Sequence, residues 1–134
     1  VIVLDASAWV RSLVDEGPAG AAARQALTSD TEWTAPAHMP IEVLRTIRRY
    51  ESAKVIDTEQ ADAFASQVRT AEVRYAWPEE WLLGAIWRLR HNISPYDAAY
   101  VALAAYHDVP LVTLDERLAR AAVAAGVTAT VPSD

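Results

Sequence analysis

The chain has 134 residues, a hydrophobic content of 52%, no cysteine and a formal net charge of -6. That length and apolar content suit one compact domain with a real core, and the missing thiols exclude disulfides, cysteine nucleophiles and thiolate metal sites. The acidic balance argues against a protein that coats nucleic acid by bulk charge, while leaving room for an enzyme with a local basic rim.

An intracellular, cytoplasmic protein is the simple expectation. No basic segment leads into a long apolar stretch, so no signal peptide is read in this chain. No apolar run approaches the roughly 18 residues of a membrane span. The first strand opens directly at Val1, and a few upstream residues are expected to precede it.

Val1–Leu4 is a continuous apolar run with β-branched residues, the pattern of a buried parallel strand. Asp5 and Ser7 follow it, and both can cap backbone donors as the chain enters a helix over Ala8–Val14. Asp15, Glu16, Gly17 and Pro18 break that helix, and Ala19–Thr28 reads as an Ala-rich second one. Glu32–Ala35 is a short strand ended by Pro36. His38 to Tyr50 has helical periodicity, with Pro40 tolerated in the first turn and Glu42 close behind it.

Asp57 or Thr58 starts another helix running to about Thr70, and Glu72–Tyr75 reads as a strand. Trp77-Pro78 is a boundary. Glu79–Arg90 is then a helix whose first turn carries acids and whose end carries Arg88, Arg90 and His91, as the helix dipole favours. Ser94-Pro95-Tyr96-Asp97 offers a cap, a proline at the first helical position and an acid at the third, which resembles a capping box opening an Asp97–Tyr106 helix. Pro110–Leu114 is a buried strand. Asp115 starts a short helix through Ala125, closed by Gly126, and Val127–Val131 is a last strand. Strand–helix crossings with two extra helices in the middle predict a three-layer α/β/α sandwich around a four- or five-stranded parallel sheet.

Four acids, Asp5, Glu42, Asp97 and Asp115, each fall at the edge of a predicted element. Strand ends in such folds open into one crevice, where residues distant in sequence meet. Carboxylates gathered there repel one another unless a cation lies between them. The pattern points to a hard divalent ion and metal-assisted hydrolysis of a phosphodiester.

The segments VIVLDASAWV, APAHMPIEVLRTIRR and SPYDAAYVALAAYHDVPLVTLDERLARAA carry these acids in order. Together they resemble the PIN-domain family, and among its members the VapC-like ribonuclease toxins of VapBC toxin–antitoxin pairs. Each piece alone is common; all of them in order, over almost the whole chain, are specific. The resemblance implies one PIN-like nuclease domain over residues 1–134. It implies a Mg²⁺- or Mn²⁺-dependent endoribonuclease, neutralised by a small VapB-like antitoxin. The four catalytic and metal-binding acids carry over onto Asp5, Glu42, Asp97 and Asp115, and two small hydroxyl positions onto Ser7 and Thr113.

Each residue also has a plain structural reading. Asp5, Asp97 and Asp115 could be helix caps, Glu42 could simply favour a helix N-terminus, and Ser7 could be a cap. In the functional reading Asp5 is a direct metal ligand, with Ser7 orienting it or a water from behind. Asp97 is a ligand too, since Ser94 can keep the helix start capped. Glu42 closes the cleft from the opposite wall, and Asp115 tunes the site or helps hold a second ion. Thr113 is an inward-facing hydroxyl supporting the acids. Arg45 and Arg49 lie three and seven positions after Glu42 and share its helix face, where they could guide an RNA backbone. Arg48 and Lys54 enlarge that patch, and Arg117 borders the cleft; a solvated salt-bridge network explains these bases equally well. His38, His91 and His107 have no metal-ligand spacing, and none is expected to be a catalytic base.

Five tryptophans are many for this length, and Trp77, Trp81 and Trp87 crowd one segment. A core role is the default for at least two of them. The excess suits an apolar surface for a partner helix or a second copy, and with the resemblance it predicts a homodimer that also binds the antitoxin. Three other functions compete. A DNA-directed nuclease of similar fold is disfavoured by the short chain. A non-catalytic regulatory or RNA-binding module is disfavoured by the complete acidic set. A receiver-like phosphoacceptor would need a lysine near its last strands, and Lys54 is the only lysine.

Overall fold

A computed structural model describes residues 1–133. Five strands form one all-parallel sheet: β1 (Ile2–Leu4), β2 (Trp33–Pro36), β3 (Val73–Ala76), β4 (Leu111–Val112) and β5 (Ala129–Thr130), in the order β3-β2-β1-β4-β5. Seven helices join them: α1 (Ala6–Val14), α2 (Pro18–Thr28), α3 (Met39–Ser52), α4 (Thr58–Thr70), α5 (Glu80–Arg88), α6 (Pro95–His107) and α7 (Glu116–Ala124). The helices α1 to α4 pack on one another, and α5, α6 and α7 form a second packed set. The result is the expected α/β/α sandwich.

The central strand β1 is buried along its whole length, which is why its sequence is unbroken Ile-Val-Leu rather than alternating. It pairs with β2 on one side and β4 on the other. The chain therefore winds outward from β1 in both directions, and the winding reverses between β1 and β4. Loops leaving the C-terminal ends of those two strands diverge, and a crevice opens between them.

The last two strands are shorter than the apolar runs predict. Only Leu111–Val112 and Ala129–Thr130 are regular strand. Pro110 has no N–H to give and contributes only its carbonyl, to Val3. Thr113 still bonds through its N–H to Thr130 at 3.0 Å, but its side chain turns to the crevice. Helix α1 begins two residues earlier than the sequence pattern suggests, directly after Asp5.

Helix α6 is the spine of the second layer. Seven consecutive residues, Ala98 to Ala104, are buried, as expected of a helix that is apolar all round. On the other layer α2 packs tightly on the end of α1, because a Cβ at Gly20 would lie 1.8 Å from the Asp15 carbonyl oxygen. Trp9 is buried and meets Trp33 edge-on at 5.9 Å, and Trp81 stacks on Tyr106 at 4.0 Å. Trp77 and Trp87 are the surplus, 73% and 64% exposed. Among the described residues no helix is long and apolar enough to cross a membrane.

Candidate functional site

The crevice at the β1/β4 reversal is the mouth of a cleft of about 1020 Å³ lined by Asp5, Ser7, Glu42, Asp97 and Asp115, with Arg45 and Arg49 further along. All four predicted acids thus line one cleft, brought by the β1–α1 turn, α3, α6 and the β4–α7 turn. Thr113 lies directly beneath, fully buried. The two strand ends are locked together by a bond from the Asp5 N–H to the Val112 carbonyl at 3.0 Å.

Asp5 occupies the N-cap position of α1, yet its side chain makes no capping bond. Its Oδ2 instead accepts from the hydroxyls of Ser7 and Thr113, each at 2.6 Å. The direction of those bonds is fixed from the other side. Ser7 Oγ accepts the Leu114 N–H at 3.0 Å, and Thr113 Oγ1 accepts the Asp115 N–H at 3.0 Å. With its acceptor face occupied, each hydroxyl has one proton left and aims it at Asp5. Ser7 is therefore no helix cap: it ties Asp5 to the turn that carries Asp115. Burial raises the Asp5 pKa above the ordinary carboxylate value, the two hydroxyls oppose this, and the Glu42 charge raises it further.

Glu42 faces Asp5 from α3. Its Oε1 accepts the Tyr100 hydroxyl at 2.5 Å. His38 Nε2 stands 3.6 Å from the same oxygen, too far for a hydrogen bond, and is buried without any other partner among the described residues. The sequence pattern did not single out Tyr100 or assign His38 a place here. Tyr100 reads as one more apolar residue of α6; the only hint is its spacing three after Asp97.

Asp97 sits in the first turn of α6, where Ser94 Oγ accepts its N–H at 3.2 Å. Ser94 thus caps the helix, but only this half of the expected capping box forms; the complete one is at Asp57 and Gln60 on α4. The Asp97 carboxylate faces the Arg117 guanidinium at 3.8 Å. Its pKa is raised, by burial first and then by the Asp115 charge, with Arg117 opposing. Asp115 does cap its helix: Oδ1 accepts the N–H groups of Arg117 and Leu118 at 3.0 and 3.2 Å. The plain structural reading therefore holds for one of its two oxygens.

Arg45 and Arg49 share the cleft wall with Glu42, as the helical spacing predicts. Arg48 and Lys54 do not line it. Arg11 and Tyr50 do, from α1 and α3; neither stood out in the sequence, because both lie on ordinary amphipathic helix faces. Arg117 is 77% exposed at the cleft rim.

Among the described residues no three His, Asp or Glu side chains stand close enough to form a ready-made metal cluster. The donor set still fits a hard cation. It is all oxygen, and two of its carboxylates have pKa values raised in part by a neighbouring acid. Those are like charges facing one another across a polar cleft, a repulsion that a cation relieves.

Comparison with known proteins gives the family and the fold. The PIN domain family profile matches residues 2–124. Ribonuclease VapC1 of Mycobacterium tuberculosis is 39% identical over 120 residues, which cover 89% of each chain. Ribonuclease VapC12 of the same organism is 38% identical, covering 90% of this chain and 91% of that one. Among solved structures, M. tuberculosis VapC20, described as a Sarcin-Ricin loop cleaving toxin, superposes with a TM-score of 0.73 at 20% identity, over 98% of this chain and 100% of that one. FitAcB from Neisseria gonorrhoeae gives 0.74 at 16% identity, over 98% of both chains. At those identities the structural matches speak for the fold.

Proposed function

The chain belongs to the PIN-domain family, among its VapC-like members, and on that premise we propose that it is an endoribonuclease toxin that hydrolyses RNA phosphodiester bonds with Mg²⁺ or Mn²⁺. The observation that carries this reading is the meeting of Asp5, Glu42, Asp97 and Asp115 in one cleft at the reversal of the sheet. The ribonuclease names of relatives that match along most of their length support it.

In this reading Asp5, Glu42 and Asp97 hold the cation and Asp115 assists through the oxygen not spent on its helix. A bound divalent ion supplies two things: it acidifies a water for attack on phosphorus and neutralises charge on the phosphate. Ser7 and Thr113 both hold Asp5 Oδ2, leaving Oδ1 for the cleft. Arg117 competes for Asp97, but the guanidinium is exposed and the 3.8 Å pair is long and weak, so it can turn to an RNA phosphate at little cost. Arg45 and Arg49 extend that positive track away from the acids. The net charge of -6 is no obstacle, since a cation would offset the charge of the four acids it meets and Arg45 and Arg49 line the same cleft.

The proposed partners are a VapB-like antitoxin and a second copy of the chain, in the cytoplasm. An apolar groove lined by Ile41, Trp77, Leu83 and Tyr96, all exposed, supports a protein partner. Mass measurement of the protein alone and with its neighbouring gene product checks this; a strict monomer that captures nothing counts against it.

The activity test is incubation of total RNA with the purified protein in Mg²⁺, in Mn²⁺ and in chelator, followed by mapping of cut ends. Discrete cuts that vanish in chelator are expected. Undiminished cleavage in chelator overturns the metal mechanism, and no cleavage of any RNA overturns the nuclease reading.

A further inference from the structure

Helix α6 is apolar along its buried face except for one hydroxyl, that of Tyr100, which has no solvent exposure at all. Phenylalanine would fill the same space without burying a polar group. The hydroxyl has a specific partner: it donates to Oε1 of Glu42 at 2.5 Å, across 58 positions of sequence and from one wall of the cleft to the other. A bond of that length to a carboxylate is among the stronger hydrogen bonds of a protein.

Glu42 needs an anchor more than Asp5 does. Its side chain has one more rotatable bond, and it is 37% exposed. Asp5 is gripped by two hydroxyls, whereas Tyr100 is the one hydrogen-bond donor to the Glu42 carboxylate among the described residues. His38 Nε2, at 3.6 Å, closes the flank without bonding. With Oε1 taken, Oε2 is left free. The same helix presents Asp97 one turn before Tyr100, on the same face. One rigid, buried helix thereby sets both Asp97 directly and Glu42 through the phenol.

We propose that Tyr100 is a positioning residue, whose hydroxyl fixes Glu42 so that its second oxygen is presented to a divalent cation in the cleft. This rests on the reading that the cleft acids hold such a cation. Burial, with the Asp5 charge and the Glu42 bond added, pushes the phenol pKa far above its ordinary value. In that bond the hydroxyl is the donor and holds the carboxylate.

The test is calorimetric titration of Mn²⁺ into wild type, Tyr100→Phe, Glu42→Gln and the double variant, with thermal melts in chelator. Tyr100→Phe keeps the ring that packs the core, and it should melt as wild type does. It should bind Mn²⁺ about ten-fold more weakly, the usual scale for losing the group that orients a ligand. The double variant should bind no more weakly than Glu42→Gln alone, since the hydroxyl then has no carboxylate to position. Wild-type affinity in Tyr100→Phe overturns the proposal, and so does an equal further loss in the Glu42→Gln background, which a merely structural role would produce. Wild type that binds no Mn²⁺ overturns the cation reading itself, and the proposal with it.

Discussion

Asp5 and Asp115 stand in the same local setting and are used differently. Each lies in the turn that leaves a central strand, each occupies the N-cap of the next helix, and both have extended backbone. Asp115 turns one oxygen inward and satisfies two helix N–H groups. Asp5 makes no capping bond and is held by hydroxyls from Ser7 and Thr113. The N-cap position therefore does not decide what a carboxylate does. The difference comes from what the neighbouring strand delivers: the end of β4 places Thr113 beneath Asp5, and among the described residues no hydroxyl donates to the Asp115 carboxylate. A carboxylate gripped by hydroxyls leaves the helix N–H groups alone, as the proposed ligand role requires, while one that caps is half committed to the fold.

The largest effect that can break this comparison is on RNA cleavage. Asp5→Asn should lower it by orders of magnitude, because in the proposed reaction both water activation and phosphate neutralisation would depend on the ion. Asn still offers one oxygen to accept both hydroxyls, so the fold should survive. Asp115→Asn keeps a good capping residue and should cost far less activity. Parallel cleavage assays on the two variants read the contrast; equal losses would show that the two acids are not differently committed.

The next effect is on stability. Thr113 is fully buried and serves both acids, donating to Asp5 and accepting from the Asp115 N–H. Thr113→Val keeps the shape and removes both bonds, stranding the Asp115 N–H and leaving Asp5 Oδ2 to Ser7 alone. Leaving such groups unpaired costs about 1–3 kcal/mol, to be measured by denaturant unfolding in chelator. A loss well below that range would mean water or backbone shifts replace the bonds, and the two strand ends are less tightly coupled than the distances imply.

Much of this was legible from residue order. Apolar runs followed at once by an acid located β1 and β4 and, through the crossover rule, the crevice between them. Ser94-Pro95 located the start of α6 because proline at the first helical turn is a local signal that tertiary contacts do not override. The start of α4 was narrowed to Asp57 or Thr58, and the cap is Asp57. What was illegible depended on long-range pairing. Tyr100 is indistinguishable in sequence from its apolar neighbours, and its partner lies 58 positions away. Whether Ser7 caps α1 or holds Asp5 turns on a contact with the β4–α7 turn. The strand ends were overestimated at Pro110 and Leu114 because a run of apolar residues marks burial, not the ladder bonds that define a strand. The tryptophans show the converse: composition revealed an excess but not which two, Trp77 and Trp87, are left at the surface.

The smallest effect is the pH dependence of stability, and its sign follows from the Asp5 environment. Burial, the leading cause, raises the folded-state pKa of Asp5 above the ordinary value of 3.8. The folded protein therefore holds that proton more tightly than the unfolded chain does. The resulting stabilisation is fully present below about pH 3.8 and is lost as pH rises through the raised folded-state value. At neutral pH the ionised carboxylate is a net cost to the fold in the absence of a cation. Asp5→Asn removes this dependence. In chelator the variant should gain on wild type as pH rises from strongly acid to neutral, then run parallel to it. Saturating Mn²⁺ should invert the order at neutral pH, because a ligand that binds only the folded state stabilises it by mass action, and wild type is the better binder. Thermal melts across pH, with chelator and with Mn²⁺, read both signs at once. A variant that loses stability relative to wild type in chelator at neutral pH would mean that the Ser7 and Thr113 hydroxyls outweigh the desolvation of Asp5, leaving the carboxylate part of the fold in the same sense as Asp115.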